Sequence, residues 1–183
     1  MSTTETAVLS TAARMVDEGG PDAVTLRGLG GAVGLSRGAP YRHFEDKDRL
    51  LAAVAARELA GQCAEIRAAL ARAADGRERL TRLLRGYVGW ARRRPQRFKL
   101  VFALRKRADR DLEAAAAEAR ALVIEACRRA IPAGGENIGR SLMLLALAHG
   151  AADLAASGLM GEDFDAEAAV AEGLALALAQ AAI

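Results

Sequence analysis

The sequence predicts an all-α protein with an N-terminal three-helix helix-turn-helix domain and a larger helical domain behind it. Alanine and leucine are abundant, whereas aromatic residues make up only 4% of the chain. This composition favours helices over strands. The four prolines lie where helical patterns begin or end, and no alternating apolar and polar stretch indicates a strand. A chain of 183 residues is long enough to form both parts.

Apolar periodicity and the breaks between periodic stretches divide the chain into about nine helices. Glycine and proline, which interrupt helices, mark most of the breaks. The predicted helices lie at about residues 4–18, 26–33, 36–44, 46–73, 77–93, 95–106, 109–130, 136–159 and 165–182. We place the domain boundary at residue 50, so that residues 1–50 form the helix-turn-helix domain and residues 51–183 the larger one.

Residues 24–51, VTLRGLGGAVGLSRGAPYRHFEDKDRLL, have the pattern of a helix-turn-helix. Thr25 can cap the first short helix through its hydroxyl, and Gly34 stands where that helix ends, a position that favours a residue without a Cβ. Ser36 can cap the second helix and Asp46 the third. Two short helices joined by a turn that contains glycine match the motif that many proteins use to bind DNA.

The second of these helices carries the side chains that we expect to contact DNA. Arg37 can bond guanine at two positions, a contact worth about 1–3 kcal/mol of discrimination between bases. Gly38 and Ala39 permit close approach to the groove, and Ala39 and Pro40 offer apolar surface to a thymine methyl group. Phosphates are expected to bind Thr25, Tyr41, His43 and Lys47. The complete set of expected DNA contacts is Thr25, Ser36, Arg37, Gly38, Ala39, Pro40, Tyr41, Arg42, His43 and Lys47.

Three glycines, Gly28, Gly30 and Gly31, lie in the first helix of the motif. A phosphate-binding G-x-G-x-x-G loop does not explain them, because Val33 stands at the last glycine position and no strand pattern precedes the segment. Glycine inside a helix costs about 1 kcal/mol relative to alanine. The sequence therefore predicts a short helix of low intrinsic stability.

Residues 25–51 closely resemble the DNA-binding domain of the tetracycline-repressor (TetR/AcrR) family. The most specific part is the run GAPYRHF from Gly38 to Phe44, followed by Lys47 and Leu50. The resemblance implies that residues 36–43 form the recognition helix and that the four residues named above contact phosphates. The chain departs from the family in its glycine-rich first helix, where alanine or larger residues are more usual.

The rest of the chain is similar, through weaker signals, to a subgroup of this family with a WHG-type C-terminal domain. The signals are Y-V-x-W-A at residues 87–91, P-x-R-F at residues 95–98 and His149-Gly150. The tryptophan of the subgroup commonly lies shortly before the histidine, where this chain has residues 144–146, LLA. In such proteins this domain binds a small molecule and pairs two subunits through its last two helices. We therefore expect residues 51–183 to be an effector-binding and dimerisation domain.

This expectation predicts two functional sites in residues 51–183, an effector pocket and a dimer interface. A small-molecule cavity usually combines aromatic walls with one or two polar groups, and the residues that fit are Trp90, Phe98, Phe102, Met143 and His149. Ordinary core packing is an equally open explanation for each of them. The last two helices are apolar around most of their circumference, so one side is expected to contact a second subunit. The expected interface residues are Leu145, Leu154, Leu174 and Leu178.

Basic residues are concentrated in one stretch. About half of the lysines and arginines lie within residues 77–110, where Glu78 and Asp109 are the acidic residues. Either these cations form a solvated face or pair with acidic helices, or some of them attract an anionic effector or DNA.

Cys63 and Cys127 lie far apart without metal-ligand spacing, so we expect small core residues rather than redox sensors.

Several classes of function are disfavoured. His43 and His149 are the only histidines, and the sequence shows no serine-histidine-acid or metal-ligand grouping. We therefore expect no enzymatic activity, no metal site and no cofactor. The polar N-terminus has no signal-peptide core, and His149 and Asp153 interrupt the apolar stretch at residues 142–159. A cytoplasmic protein without membrane contact is expected.

Together these features predict a ligand-responsive transcriptional regulator, and a repressor in preference to an activator. It would bind a palindromic stretch of double-stranded operator DNA as a homodimer and respond to an unknown small-molecule effector. The alternative is a DNA-binding dimeric protein without a small-molecule effector. A ligand-induced change in operator affinity would distinguish the two.

Overall fold

The computed structural model describes residues 3–34, 40–104, 109–130, 138–161 and 163–179. Within these ranges the regular structure is helical and no strand is formed. Two short 3-10 turns, Pro21–Ala23 and Pro40–Arg42, accompany eight α-helices. The helices are α1 (Thr3–Gly19), α2 (Leu26–Ala32), α3 (Lys47–Leu70), α4 (Gly76–Arg93), α5 (Pro95–Leu104), α6 (Arg110–Ala130), α7 (Ile138–Ser157) and α8 (Ala166–Ala179).

The all-α prediction is confirmed, and most predicted helices lie within a few residues of the observed ones. Residues 36–39 of the predicted helix at 36–44 lie outside the described residues. In its described part, residues 40–44, the prediction of an α-helix is wrong, because Pro40–Arg42 form a 3-10 turn. The predicted extension of α7 to residue 159 is wrong. Gly158 adopts a φ of +71°, a left-handed conformation that ends a helix, so α7 stops at Ser157.

The chain folds into two compact units, and each of them combines two stretches of sequence. The first contains Met1–Ala60 and Arg94–Ala116, and the second contains Gly61–Arg93 and Ala117–Ile183. The first unit therefore includes α5 in addition to the N-terminal helices. The boundary at residue 50 between functional domains remains a prediction.

The core of the first unit forms around α1. Val8, Ala12 and Val16 recur at helical spacing and are fully buried. Because this face of α1 is apolar, it packs against α2 and α5. Leu29 of α2 and Phe98 of α5 are likewise buried. Burial of these side chains places α2, the first helix of the predicted helix-turn-helix, on a helical scaffold.

In the second unit, α4 packs against α7 and α8. Trp90 is buried on α4, and Leu144 and Ala148 are buried on α7. Asp75 caps α4 by accepting a hydrogen bond from the Glu78 amide at 2.7 Å, which agrees with the predicted break between α3 and α4.

Gly76, the first residue of α4, lies against the C-terminal end of α6. A Cβ at this position would stand 2.0 Å from the Arg129 carbonyl oxygen, so the close approach requires glycine.

Candidate nucleic-acid interface and effector region

The helix-turn-helix segment has the predicted caps. The Thr25 hydroxyl accepts a hydrogen bond from the Gly28 amide at 3.1 Å, which caps α2. Gly34, just beyond α2, has a φ of +69°, in the region that favours glycine. Asp46 caps α3 by accepting from the Arg49 amide at 2.7 Å. Three local features predicted from residue type alone are thus confirmed.

Polar side chains surround the 3-10 turn that precedes α3. Tyr41 is 56% exposed, and Arg42 and His43 are also exposed, whereas Phe44 is buried. Thr25, at the start of α2, is exposed as well. These residues form an exposed group of hydrogen-bond donors, as a surface that contacts phosphates requires.

Lys47 begins α3 and is half-buried. Its Nζ donates to the Asp22 carbonyl oxygen at 3.5 Å and lies 3.9 Å from Asp22 Oδ1. This weak, largely solvated ion pair directs the ammonium group towards the 3-10 turn Pro21–Ala23. Ser36, Arg37, Gly38 and Ala39 lie outside the described residues, and Pro40 begins the 3-10 turn, so the roles of the expected base contacts remain predictions.

The glycines of α2 differ in their surroundings. A Cβ at Gly28 would lie 2.8 Å from the Thr25 hydroxyl oxygen, so glycine at this position leaves room for the helix cap. A Cβ at Gly31 would have no atom within 4 Å. Packing within the subunit therefore explains the glycine at position 28 and does not explain the glycine at position 31.

Three of the five expected effector-pocket residues belong to the second unit. His149 is half-buried on α7, and its Nδ1 lies 2.7 Å from the Tyr87 hydroxyl in a hydrogen bond. The Tyr87 ring also contacts buried Trp90 edge-on, with the ring centroids 6.0 Å apart. Burial raises the pKa of Tyr87 above its ordinary value, so its hydroxyl stays protonated. Met143, on α7, is 53% exposed.

Phe98 and Phe102 lie on α5, in the first unit. Their ring centroids are 4.9 Å apart at an interplanar angle of 54°. Phe98 is buried and Phe102 is partly exposed. The structure thus groups Trp90 with His149 and groups the two phenylalanines with each other. Tyr87, which links Trp90 and His149, was not among the expected pocket residues, although it begins the motif Y-V-x-W-A at residues 87–91.

A cavity of about 200 Å³ lies within the second unit, between α4, the end of α7 and the start of α8. None of the five expected pocket residues lines it. Arg92 on its wall lies 3.5 Å from a Glu167 carboxylate oxygen, and Phe164 supplies an aromatic wall. Among the described residues, those that line the cavity are Val88, Arg92, Ala155, Asp163, Phe164, Asp165, Ala166 and Glu167. No local pattern in the sequence identifies this cavity, because its walls come from separate segments.

The residues expected at a dimer interface have different surroundings. Leu145 and Leu154 are half-buried, and Leu174 is 4% exposed within the subunit. The side chain of Leu178 lies outside the described part of the chain. Other large apolar side chains of α7, α8 and their connection are exposed: Leu142, Met143, Leu147, Leu159, Met160 and Leu176. We call Leu142, Met143, Leu147 and Leu176 the exposed apolar set.

Many cations of the basic stretch pair with acidic groups in their own unit. Arg82 pairs with Glu78 and Arg93 with Glu65. The second unit also contains the Arg92–Glu167 pair described above. In the first unit, Arg94 and Arg97 bind Glu58. For these arginines, the structure favours internal pairing over the alternative of an anion-attracting surface.

Within the described ranges, no helix is both long enough and apolar enough to cross a membrane.

Two family models match the chain. The DNA-binding model of the bacterial regulatory proteins of the tetR family matches residues 8–54. The tetracyclin repressor-like C-terminal domain matches residues 80–177, more than half of the chain. The chain belongs to the TetR family. By family it is a transcriptional regulator. Its helix-turn-helix segment lies within the part that matches the family's DNA-binding model.

Solved structures similar to this TetR-family chain cover nearly its whole length. A protein of unknown function from Rhodococcus sp. RHA1 has a TM-score of 0.85 at 25% identity, covering 100% of this chain and 97% of its own. The repressor SmeT of the Stenotrophomonas maltophilia multidrug efflux pump SmeDEF has a TM-score of 0.68 at 22% identity, covering 96% and 89%.

A third similar structure contains a small molecule. It is a protein from Saccharomonospora viridis, assigned as a transcriptional regulator and in complex with choline. Its TM-score is 0.74 at 18% identity, covering 96% of this TetR-family chain and 95% of its own. No curated protein matches the chain.

Proposed function

We propose that the chain is a dimeric, ligand-responsive repressor that binds a palindromic operator through the helix-turn-helix segment of each subunit. The observation that carries this proposal is the exposed donor group around Tyr41–His43, beside Lys47, in the segment that matches the family's DNA-binding model. Such donors fit the phosphates of duplex DNA, and Arg37 on the adjoining expected recognition helix would contact a base edge. The similarity to SmeT, a repressor, supports the direction of regulation.

The exposed apolar set on α7 and α8 supports a homodimer. A leucine such as Leu176, 63% exposed, is unfavourably hydrated in a monomer. A second copy related by two-fold symmetry would cover the same residues in both subunits. The pair would present two helix-turn-helix segments to DNA sites about 34–36 Å apart, one turn of the double helix. A palindromic operator follows from that symmetry.

Two features of the second unit support an effector. The Tyr87–His149 hydrogen bond beside Trp90 places polar groups next to an aromatic ring. The cavity lined by Arg92 and Phe164 offers a second place for a small molecule. An effector would release DNA only if it bound the DNA-free conformation more tightly than the DNA-bound one. Choline, found in the Saccharomonospora viridis protein, is a first probe for a screen.

The alternative function, a DNA-binding dimer without an effector, also has an observation in its favour. Trp90 is 1% exposed, and Nδ1 of His149 is occupied by Tyr87. On this alternative, Trp90 and His149 stabilise the packed interior of the second unit and bind no ligand. In that case no small molecule would change the operator affinity, while DNA binding and dimerisation would remain.

The first experiment is a gel shift on the DNA just upstream of the protein's own gene, with the wild type, Tyr41→Ala and Arg14→Ala. Arg14 lies exposed on α1, outside the expected DNA contacts, and serves as the matched control. We expect salt-dependent binding to a short palindrome that is lost in Tyr41→Ala and retained in Arg14→Ala. If an unbiased selection of DNA sites also yielded no specific sequence, the proposed function would be wrong.

A further inference from the structure

A buried carboxylate lies in the middle of α3. The side chain of Glu58 is 5% exposed. Arg94 Nη1 donates hydrogen bonds to both of its oxygens, at 3.0 and 3.2 Å, and Arg97 Nη1 donates to Oε2 at 3.0 Å. Burying a carboxylate is costly unless cations and hydrogen bonds replace its hydration. Arg94, just before α5, and Arg97, in its first turn, supply such cations to Glu58.

Arg97 extends this contact to a third helix. Its Nε donates to Asp17 Oδ1 at 2.8 Å, and its Nη2 donates to Asp17 Oδ2, which gives a two-point contact with the end of α1. Burial of the guanidinium acts to lower the pKa of Arg97, but the hydrogen bonds and charges of Asp17 and Glu58 outweigh burial and raise it. Arg97 is thus a charged bridge between α1 and α3.

The residues Asp17, Glu58, Arg94 and Arg97, which we call the ion network, join segments that are distant in sequence. All four lie in the first unit. A separate contact already ties α3 to α1, because Arg57 donates to the Thr6 carbonyl at 3.3 Å and to the Ser10 hydroxyl at 3.2 Å. The ion network adds charged contacts that tie α5 to both α1 and α3.

The helices that the ion network joins border the helix-turn-helix segment. The chain passes from α1 through the 3-10 turn Pro21–Ala23 towards α2, and α3 begins at Lys47, with residues 43–46 between it and the 3-10 turn Pro40–Arg42. The positions of α1 and α3 therefore determine how the segment is held. Charge-assisted hydrogen bonds are directional and resist rotation of one helix against another more than apolar contacts do.

We propose that Glu58 and Arg97 are positioning residues for DNA binding, which hold α1 and α3 against α5 and so set the orientation of the helix-turn-helix segment. This inference rests on the proposed DNA-binding function and extends it to residues outside the expected DNA contacts. Changes in such packed networks alter the coupling to a distant binding site by about 2- to 30-fold.

The test separates orientation from stability. Replacing a buried ion network with apolar residues of similar size often leaves stability unchanged or raises it, whereas removing one partner leaves an unpaired buried charge. We would therefore prepare the full chain with Glu58→Leu, Arg94→Met and Arg97→Met together. Asp17 is kept, because its side chain is 37% exposed and water can hydrate the carboxylate when Arg97 is removed. The matched control is Arg93→Met, because Arg93 immediately precedes Arg94 in the chain and pairs with Glu65 at 3.5 Å on the surface.

Urea unfolding, affinity for the operator, affinity for unrelated DNA and amide exchange in α1 and α3 would be measured for each protein. We expect the triple variant to be as stable as the wild type and to bind the operator about 2- to 30-fold more weakly. Its affinity for unrelated DNA should be unchanged, because that binding depends on phosphate contacts. The control should match the wild type in every measurement.

Unchanged operator affinity in the folded triple variant would overturn the inference and leave the ion network a purely structural role. If the triple variant fails to fold, Arg97→Lys replaces it, because lysine keeps the charge but lacks the fork that reaches Asp17 and Glu58 together. Wild-type affinity in folded Arg97→Lys would also overturn the inference.

A wild type without operator-specific binding would refute the proposed function instead. The positioning role for DNA binding would fall with it, and amide exchange would then test the structural part alone: faster exchange at the end of α1 and in α3 of the triple variant would show that the ion network holds these helices, and unchanged exchange would refute that as well.

Discussion

The exposed surfaces of the two units differ in chemistry. Around the helix-turn-helix segment of the first unit, the exposed side chains include Thr25, Tyr41, Arg42 and His43, all with hydrogen-bonding groups. On α7 and α8 of the second unit, the large apolar side chains that are exposed are leucines and a methionine. Polar groups can remain solvated until a phosphate replaces water, whereas exposed leucines gain free energy only when another apolar surface covers them. The difference supports the two partners proposed above, DNA for one surface and a second copy of the chain for the other.

The largest effect is expected at the apolar surface. Leu176→Arg places a charge in the exposed apolar set, and we expect the dimer dissociation constant to rise at least 30-fold, or about 2 kcal/mol, the scale of an interface hot spot. Because the side chain is 63% exposed in the subunit, the monomer should stay folded. Analytical ultracentrifugation over a concentration series measures the change.

Ala103→Arg is the control, since Ala103 is exposed on α5 in the first unit. An unchanged dimer in Leu176→Arg would place the interface elsewhere. A charge at Leu174, the position expected from the sequence, would be a poorer probe because that side chain is buried and the substitution would destabilise the subunit itself.

The next effect concerns base recognition at the polar surface. Arg37→Ala should cost about 1–3 kcal/mol for the operator and relax the preference at one base pair, because a two-point contact with guanine would be lost. Affinities for a set of operators with single base-pair substitutions would show this. A uniform loss over all the operators would instead identify Arg37 as a phosphate contact.

A smaller effect is expected inside α2, where the glycine-rich sequence departs from the family. Gly31→Ala should stabilise the protein by about 0.5–1 kcal/mol, because alanine favours the helix and a Cβ there meets no atom within 4 Å. Gly28→Ala gains the same propensity but disturbs the Thr25 cap, whose hydroxyl oxygen would lie 2.8 Å from the new Cβ.

Urea unfolding of both variants makes the comparison. Equal stabilisation by Gly28→Ala and Gly31→Ala would mean that the Thr25 cap adapts to the added methyl group.

The smallest effect is expected at Lys47. Lys47→Ala should weaken binding to all DNA sequences alike and reduce the slope of log affinity against log salt concentration by about one, because one phosphate contact would be lost. Gel shifts at several salt concentrations measure the slope. An unchanged slope would mean that Lys47 stays with Asp22 in the complex and does not contact a phosphate.

Local features of the fold could be predicted because they depend on neighbouring residues. The caps at Thr25 and Asp46 and the left-handed Gly34 each involve atoms within about one helical turn. The buried face of α1 follows from apolar spacing along one helix. The two family models agree with the resemblance stated from the sequence, which depended on the run from Gly38 to Phe44.

Features built from distant segments could not be predicted in the same way. Two leucines of the same apolar stretch of α8 have opposite surroundings, since Leu174 is buried and Leu176 is exposed. Apolar periodicity that covers most of a helix does not identify the side that meets its own subunit. The effector region shows the same limit, because Trp90 and His149 were expected to line a pocket and Tyr87, the residue that joins them, was not.

The sequence by itself determined the all-α class, the family and the caps of the helix-turn-helix segment, because residue types and short spacings encode these features directly. Only the tertiary structure decided that Glu58 of α3 meets Arg94 and Arg97, and that Arg97 also meets Asp17 of α1. In the sequence these arginines belong to one basic stretch with several possible roles. Burial made the difference, because a carboxylate removed from water must find its cations wherever the fold places them.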